Sequence, residues 1–372
     1  MQTTPLDYST WKLLYNQKQR VFIFSTRYFA NMDSRTQPRR FTLHVPSTTL
    51  EAGRRLAVIQ YGGNASRENR GFRANPSEAI VYVHGLTDSP VSPQAKAVLE
   101  GYGTTRPVFA LALSAHWRSQ GSFGFENFRE DLATMLRHIR GQGIERVVLV
   151  GDSMGGLVTA DFLSQHYRTS TPTDMPAVAG AVMRAPPKNL NELKSMREAL
   201  SSINRARNAR LPMPLVNVLS SLRGSKYEGS LPQKIARIAR AMSAWRSMKI
   251  GYLRIRDFDE FARQVRRSPD FLEKVSSLHA SGIPVHVLLG SKDNVVGTSG
   301  RTFRGRYKSA LESSGVNVRV LPFAHSPPLE HKVKRGEMGV QALALEVQPI
   351  VEGLFTARTL RTGTRRQLRP AA

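Results

Sequence analysis

Five residues, Gly151-Asp152-Ser153-Met154-Gly155, stand between an apolar run, Val147-Val148-Leu149-Val150, and a helix-like stretch from Gly156 to Tyr167. A short, unbroken β-branched and leucine run predicts a buried strand rather than a surface loop. The chain must then turn sharply from strand into helix, and the glycines bring no Cβ atoms to crowd that turn. A hydroxyl is a poor nucleophile unless a base takes its proton, and such a turn holds the oxygen where a base can reach it. Ser153 is therefore the candidate nucleophile. The same five residues also suit a purely structural glycine turn, so the surrounding pattern has to decide.

That pattern is an alternation of strands and helices. Residues 41–45 and 55–61 read as a strand pair, and the Gly-, Arg- and Asn-rich span 62–76 as a loop. Further strands are predicted at 79–83, 108–113, 147–150, 179–183, 285–289 and 316–321, with helices at 93–101, 126–140, 156–167, 301–313 and 338–355. The helix over 126–140 carries an apolar stripe of Phe128, Leu132, Met135, Leu136 and Ile139. Such alternation implies a mainly parallel sheet covered on both faces, with its site at the carboxyl ends of the strands. Ser153 follows one strand end, Asp293 follows strand 285–289 across Gly290-Ser291-Lys292, and His325 follows strand 316–321 across Pro322-Phe323-Ala324. All three are expected at one edge.

A chain of 372 residues with 40% hydrophobic content can hold one large α/β domain with an insertion, or two ordinary domains. With no cysteine it can have no disulfide framework, thiolate metal site or cysteine nucleophile. No run approaches the roughly 20 apolar residues of a membrane span, and the first residues are polar and aromatic. Neither a transmembrane helix nor a Sec-type signal peptide is expected, which suggests a cytoplasmic or peripherally membrane-associated protein. The balance of 54 Lys plus Arg against 28 Asp plus Glu gives +26, which attracts polyanions such as nucleic acid, anionic lipid or acidic polysaccharide. No zinc-finger spacing, RNP-like motif or basic-region heptads accompanies that charge, so nucleic acid is not expected as the primary partner. The text carries no signal for oligomeric state.

Four pieces now stand in order: Val83-His84-Gly85-Leu86-Thr87-Asp88-Ser89-Pro90, Gly151-Asp152-Ser153-Met154-Gly155-Gly156, Ser291-Lys292-Asp293 and Ala324-His325-Ser326. Together they resemble the α/β-hydrolase superfamily, and within it microbial carboxylesterases, monoacylglycerol lipases and lysophospholipase-like proteins. The resemblance covers roughly residues 40–186 and 280–356. It implies the α/β-hydrolase fold, a mainly parallel central sheet flanked by helices with a helical cap insertion, and the chain order Ser, Asp, His. It further implies that Ser153 attacks an acyl carbonyl, His325 takes its proton and returns it to the leaving alcohol, and Asp293 holds the imidazole in the needed tautomer. By the same resemblance His84-Gly85 marks an oxyanion loop, and the backbone N–H groups of Leu86 and Met154 are the donors for a tetrahedral intermediate. The implied activity is hydrolysis of carboxylic esters, favouring lipid-like acyl esters, with no metal or organic cofactor. An acyltransferase or peptidase using the same three side chains, and a non-catalytic module that binds anionic surfaces, stay open.

Two departures stand out. Residues 114–122 occupy the place where relatives often carry a Pro-Gly-His-Gly turn, and predict a remodelled substrate wall. Asp152 stands where His, Tyr or Trp is frequent; it either tunes the histidine or makes a side-chain contact. Among the other histidines, His286 lies inside a predicted strand and reads as a packed residue. His138 and His166 lie on helices without a second ligand at metal spacing. His331, six residues beyond His325, is the competing base. No carboxylate follows strand 179–183, where Arg184-Ala185-Pro186-Pro187-Lys188 stand, which leaves Asp293 as the acid.

The chain divides into an extension (1–38), the first part of the core (39–186), a helical cap (187–278), the second part of the core (279–356) and a basic tail (357–372). Within the cap, a helix over 232–250 sets Ile235, Ile238, Met242, Trp245 and Met248 on one side, with Lys234, Arg237, Arg240 and Arg246 mostly elsewhere. That stripe either packs down on the core or lies on an anionic lipid surface, where each cation contributes about 1 kcal/mol. The tail, with no acid after Glu352, reads as disordered, either reaching toward a polyanion or simply keeping the chain soluble.

Overall fold

The computed structural model describes residues 38–45, 53–62, 77–92, 95–96, 99, 106–168, 172–193, 196, 200–201, 248–250, 252–255, 257–293, 295–296, 301–325, 327 and 338–366. In chain order these form β1 (Arg39–Val45), β2 (Arg54–Tyr61), β3 (Glu78–Val83), β4 (Val108–Leu111), α1 (Phe125–Gly141), β5 (Arg146–Asp152), α2 (Met154–His166) and β6 (Ala177–Arg184). There follow β7 (Met248–Ile250), β8 (Leu253–Ile255), α3 (Phe258–Arg266), α4 (Phe271–Ala280), β9 (Val285–Gly290), α5 (Arg301–Ser313), β10 (Asn317–Leu321) and α6 (Val340–Arg366).

Eight strands make one sheet in the order β1-β2-β4-β3-β5-β6-β9-β10, and a separate hairpin pairs β7 with β8. From β4 through β10 the pairings are parallel, whereas β1 runs antiparallel to β2 and β2 antiparallel to β4. Burial follows position in the sheet. β3 is buried at every residue and β5 at all but its first, as strands covered on both faces must be. The edge strands β1 and β10 are largely wet, with Arg39, Arg40, Asn317 and Arg319 on their exposed surfaces. Charged residues on an edge discourage further pairing. The stripe predicted for α1 is buried in full, Phe128 through Ile139, against this sheet.

The structure departs from expectation in four places. The strand predicted over 108–113 ends at Leu111, although the Ala112 N–H still donates to Ala57 O at 3.0 Å. α6 runs on to Arg366, through residues read as a disordered tail; helix propensity had no apolar stripe to show there. The helix read over 232–250 is a strand at Met248–Ile250, and residues 232–247 lie outside the described residues. α4 falls in the segment read as cap, yet it packs on α2 with Phe271, Val275 and Leu278 buried, so it belongs to the layer covering the sheet. Its start is set by Asp270, whose carboxylate accepts from the N–H groups of Leu272 and Glu273. The extension read over 1–38 lies outside the described residues apart from its last member. Among the described residues no helix is long and apolar enough to cross a membrane.

Candidate active site

Ser153 stands between the end of β5 and the start of α2, with φ 52° and ψ −119°. That is a sparsely populated conformation for a residue with a side chain, held by what surrounds it. The Ser153 N–H donates to Arg184 O at 2.7 Å. A Cβ on Gly155 would lie 2.1 Å from Val83 O, so only glycine lets the turn sit this close to β3, and one on Gly151 would lie 2.6 Å from Gly155 O, so only glycine lets the turn close this tightly on itself. Met154 opens α2, where backbone N–H groups have no partner within the helix.

Asp293 and His325 come from the loops after β9 and β10. His325 Nδ1 lies 2.9 Å from Asp293 Oδ2, while Asp293 Oδ1 accepts from the N–H groups of Val295 (2.9 Å) and Val296 (3.1 Å). Burial alone would raise this carboxyl, but His325 and the two backbone donors outweigh it and hold it below its ordinary range. The two loops touch main chain to main chain: Ser291 N–H donates to Leu321 O and Lys292 N–H to Phe323 O. A Cβ on Gly290 would come within 2.4 Å of Phe323 O. Because β5, β9 and β10 are parallel within one sheet, Ser153, Asp293 and His325 leave it at the same edge.

The segment after β3 lies against the turn that carries Ser153, since a Cβ on Gly85 would be 3.4 Å from Ser153 Cβ. His84 is fully buried; its Nδ1 donates to Gly85 O (2.7 Å) and its Nε2 accepts from the Leu113 N–H (3.1 Å). Burial lowers it to about 4, so the ring is neutral. His116, also fully buried, stacks edge-on to His84 with centroids 4.8 Å apart and sets Nε2 2.5 Å from Leu86 O and Nδ1 2.9 Å from Ser114 O.

The segment over 114–122 holds two non-glycine residues in the left-handed region, Ala115 at φ 64° and Trp117 at φ 43°. Buried Asp131 pins it, accepting from the Ser114 N–H (2.7 Å), Ser114 Oγ (3.0 Å) and the Arg54 guanidinium (3.0 and 3.2 Å). Burial pushes Asp131 up to about 6 even against Arg54. The β7–β8 hairpin is stitched onto both loops: Tyr252 N–H donates to Thr87 O, Trp117 N–H to Tyr252 O, and Arg254 N–H to Ala115 O. Beside it a groove of about 380 Å³ is lined by Arg40, Phe41, Arg55, Trp117 and Arg118 among others. None of these partners had a local signal in the sequence.

Of the two readings of Asp152, the structure shows the contact: its carboxylate accepts from Arg184 Nε (2.7 Å), Arg184 Nη2 (2.5 Å) and the Tyr82 hydroxyl (2.7 Å). His286 is half-buried in β9, rather than fully packed. His138 and His166 sit on α1 and α2 against Phe41 and Phe162. His331 lies outside the described residues.

A strained serine at the strand-to-helix turn of a sheet in this order makes the protein an α/β-hydrolase of the serine type. Residues 74–325 match the family model described as serine aminopeptidase, S33, and the chain belongs to that family. No curated protein matches the sequence at a significant level. The chain is similar in fold to a carboxylesterase of the ammonia-oxidizing thaumarchaeon Nitrososphaera gargenis (16% identity, 86% of this chain and 100% of that one, TM-score 0.53). It is similar also to the esterase RhEst1 from Rhodococcus sp. ECU1013 (21% identity, 85% and 99%, TM-score 0.50). A membrane phospholipase A, a bacterial virulence factor, matches as well (16% identity, 85% and 86%, TM-score 0.53). At such identities the likeness speaks for the fold.

Proposed function

We propose that the protein hydrolyses carboxylic esters, with lipid-like acyl esters as the substrate class. The observation that carries the reading is the hydrogen-bonded Asp293–His325 pair, 2.9 Å apart, at the sheet edge from which Ser153 also rises. Ser153 Oγ attacks the acyl carbonyl carbon while His325 takes the hydroxyl proton. The carbonyl oxygen, now negative, accepts from the backbone N–H groups of Leu86 and Met154. Collapse breaks the ester C–O bond, His325 returns the proton to the departing alcohol, and water repeats the cycle to release the acid. Asp293 stays ionised throughout, in keeping with its lowered pKa.

The family description includes aminopeptidases, which must hold a substrate ammonium with a carboxylate. Among the described residues around the turn, Asp152 is taken by Arg184 and Tyr82, Asp131 by Arg54 and Ser114, and Asp88 accepts from the Ser89 N–H. A chain of net charge +26 also repels such a cation. Both facts support an uncharged acyl ester. The test is a series of acyl esters of rising chain length beside aminoacyl arylamides, comparing the native protein with Ser153→Ala. Ester turnover should vanish in the variant, and cleavage of arylamides without esters would overturn the reading.

A second observation bears on where the enzyme works. Arg40, Arg55 and Arg118 line the groove beside Trp117 with no carboxylate partner among the described residues, which favours docking on an anionic lipid surface. Co-sedimentation with anionic but not zwitterionic vesicles, lost at high salt, is the expected result.

A further inference from the structure

We propose that His116 is a positioning residue of the oxyanion loop, using its Nε2–H to hold the Leu86 carbonyl and thereby aim the Leu86 N–H at the reacting oxygen. The proposal rests on the reading of Leu86 as an oxyanion donor.

What the two buried histidines restrict is backbone freedom. A peptide unit is planar, so the direction of an N–H is settled by the two torsions on either side of each Cα. Leu86 N–H belongs to the Gly85–Leu86 unit, whose carbonyl is gripped by His84 Nδ1 at 2.7 Å. The next unit, Leu86–Thr87, is gripped at its carbonyl by His116 Nε2 at 2.5 Å. With both planes held, Leu86 has little torsional play left. The grip is rigid because His116 is fully buried, packed on His84 at 4.8 Å and on Phe128 at 6.1 Å, and set opposite Leu253 of the insertion hairpin. That hairpin also fixes the far end of the loop through Tyr252 N–H to Thr87 O at 3.1 Å.

His116 has a feature that packing alone does not call for. Both its nitrogens face carbonyl oxygens, Leu86 O and Ser114 O, and burial, lowering it to about 3, leaves one ring proton for two acceptors. On the proposal that proton sits on Nε2, toward Leu86 O, the shorter of the two contacts.

The two nitrogens can be separated by substitution. In His116→Gln the amide NH₂ reaches the position of Nε2 and can still donate to Leu86 O; in His116→Asn it reaches only the position of Nδ1. Rates are taken per reactive serine, counted by titration with a fluorophosphonate, so that loss of folded protein does not enter. His116→Gln should keep kcat within about 3-fold of native, while His116→Asn loses about 30- to 100-fold with KM nearly unchanged, the size expected for a misplaced donor. Equal losses in both variants, or a loss in KM alone, overturn the proposal. In the unmodified protein, the imidazole ¹⁵N shifts of His116 should place its proton on Nε2; a proton on Nδ1 sinks the idea even if neither variant folds. If the native protein turns over no ester and Ser153 takes no label, it is the underlying reading that fails; an active native enzyme with indistinguishable variants refutes the role of His116 alone.

Discussion

Asp293 and His325 meet at 2.9 Å although 32 residues separate them, because β9 and β10 are neighbours in the sheet and end side by side. Asp293→Asn keeps the shape but offers an amide where a carboxylate accepted the Nδ1–H. On the proposed mechanism, kcat should fall by about 10⁴-fold with little change in KM. Steady-state kinetics on a chromogenic ester checks it, and a variant as active as the native enzyme removes Asp293 from the mechanism.

The buried histidines make stability depend on pH. In the unfolded chain each titrates at 6.5, whereas the folded state holds His84 neutral down to about 4 and His116 down to about 3. The unfolded state therefore binds their protons first, so their full contribution is present above pH 6.5 and is lost as pH falls through the window below it. Asp131, raised to about 6, works the other way between about pH 4 and 6, because there the folded state holds the extra proton. Comparing native protein with His116→Gln by urea unfolding cancels that opposing effect. The native curve should fall more steeply from pH 6 to 4, by about 1.4 kcal/mol per pH unit.

Removing one member of the Arg54–Asp131 pair leaves the other charge buried. Asp131→Asn should cost about 3–5 kcal/mol and loosen the Ser114 loop, whereas the double change Arg54→Met with Asp131→Leu should recover most of that stability. Denaturant titration of the three proteins decides it. If the single and double variants are equally unstable, the pair is not the pin described here.

Gly155→Ala places a methyl carbon 2.1 Å from a backbone oxygen of β3, which cannot swing away as a side chain would. The cost should reach about 3 kcal/mol or more, the upper end for overpacking, with loss of fluorophosphonate labelling of Ser153. A thermal melt unchanged from native would show that the turn is looser than described.

Much of the architecture was legible because it is written in local period. The run Val147 to Val150 reads as a buried strand, the stripe Phe128 to Ile139 as a core-facing helix, and the glycines flanking Ser153 as a tight turn. The helix over residues 301–313 has the bounds its sequence predicts. Where local signals conflict, sequence pattern and structure part. The stretch 232–250 carries a helix-like stripe, yet its end, Met248 to Ile250, pairs as a strand with Leu253 to Ile255, and α4 reads as cap because nothing in its sequence names the surface it covers.

What the linear text determined is the set of chemical groups and the strand ends that carry them: Ser153, Asp293 and His325, each just past a strand. What only the tertiary structure decided is what stands around them. His116 reaches Leu86 across 30 residues, Arg54 reaches Asp131 across 77, and the Arg254 side chain reaches Ser119 O across 135. Periodicity and turn chemistry act over a few residues, whereas these partners are set by the order of strands in the sheet and the docking of the insertion hairpin. That order comes from burial of the whole core, a property that no short stretch of sequence holds.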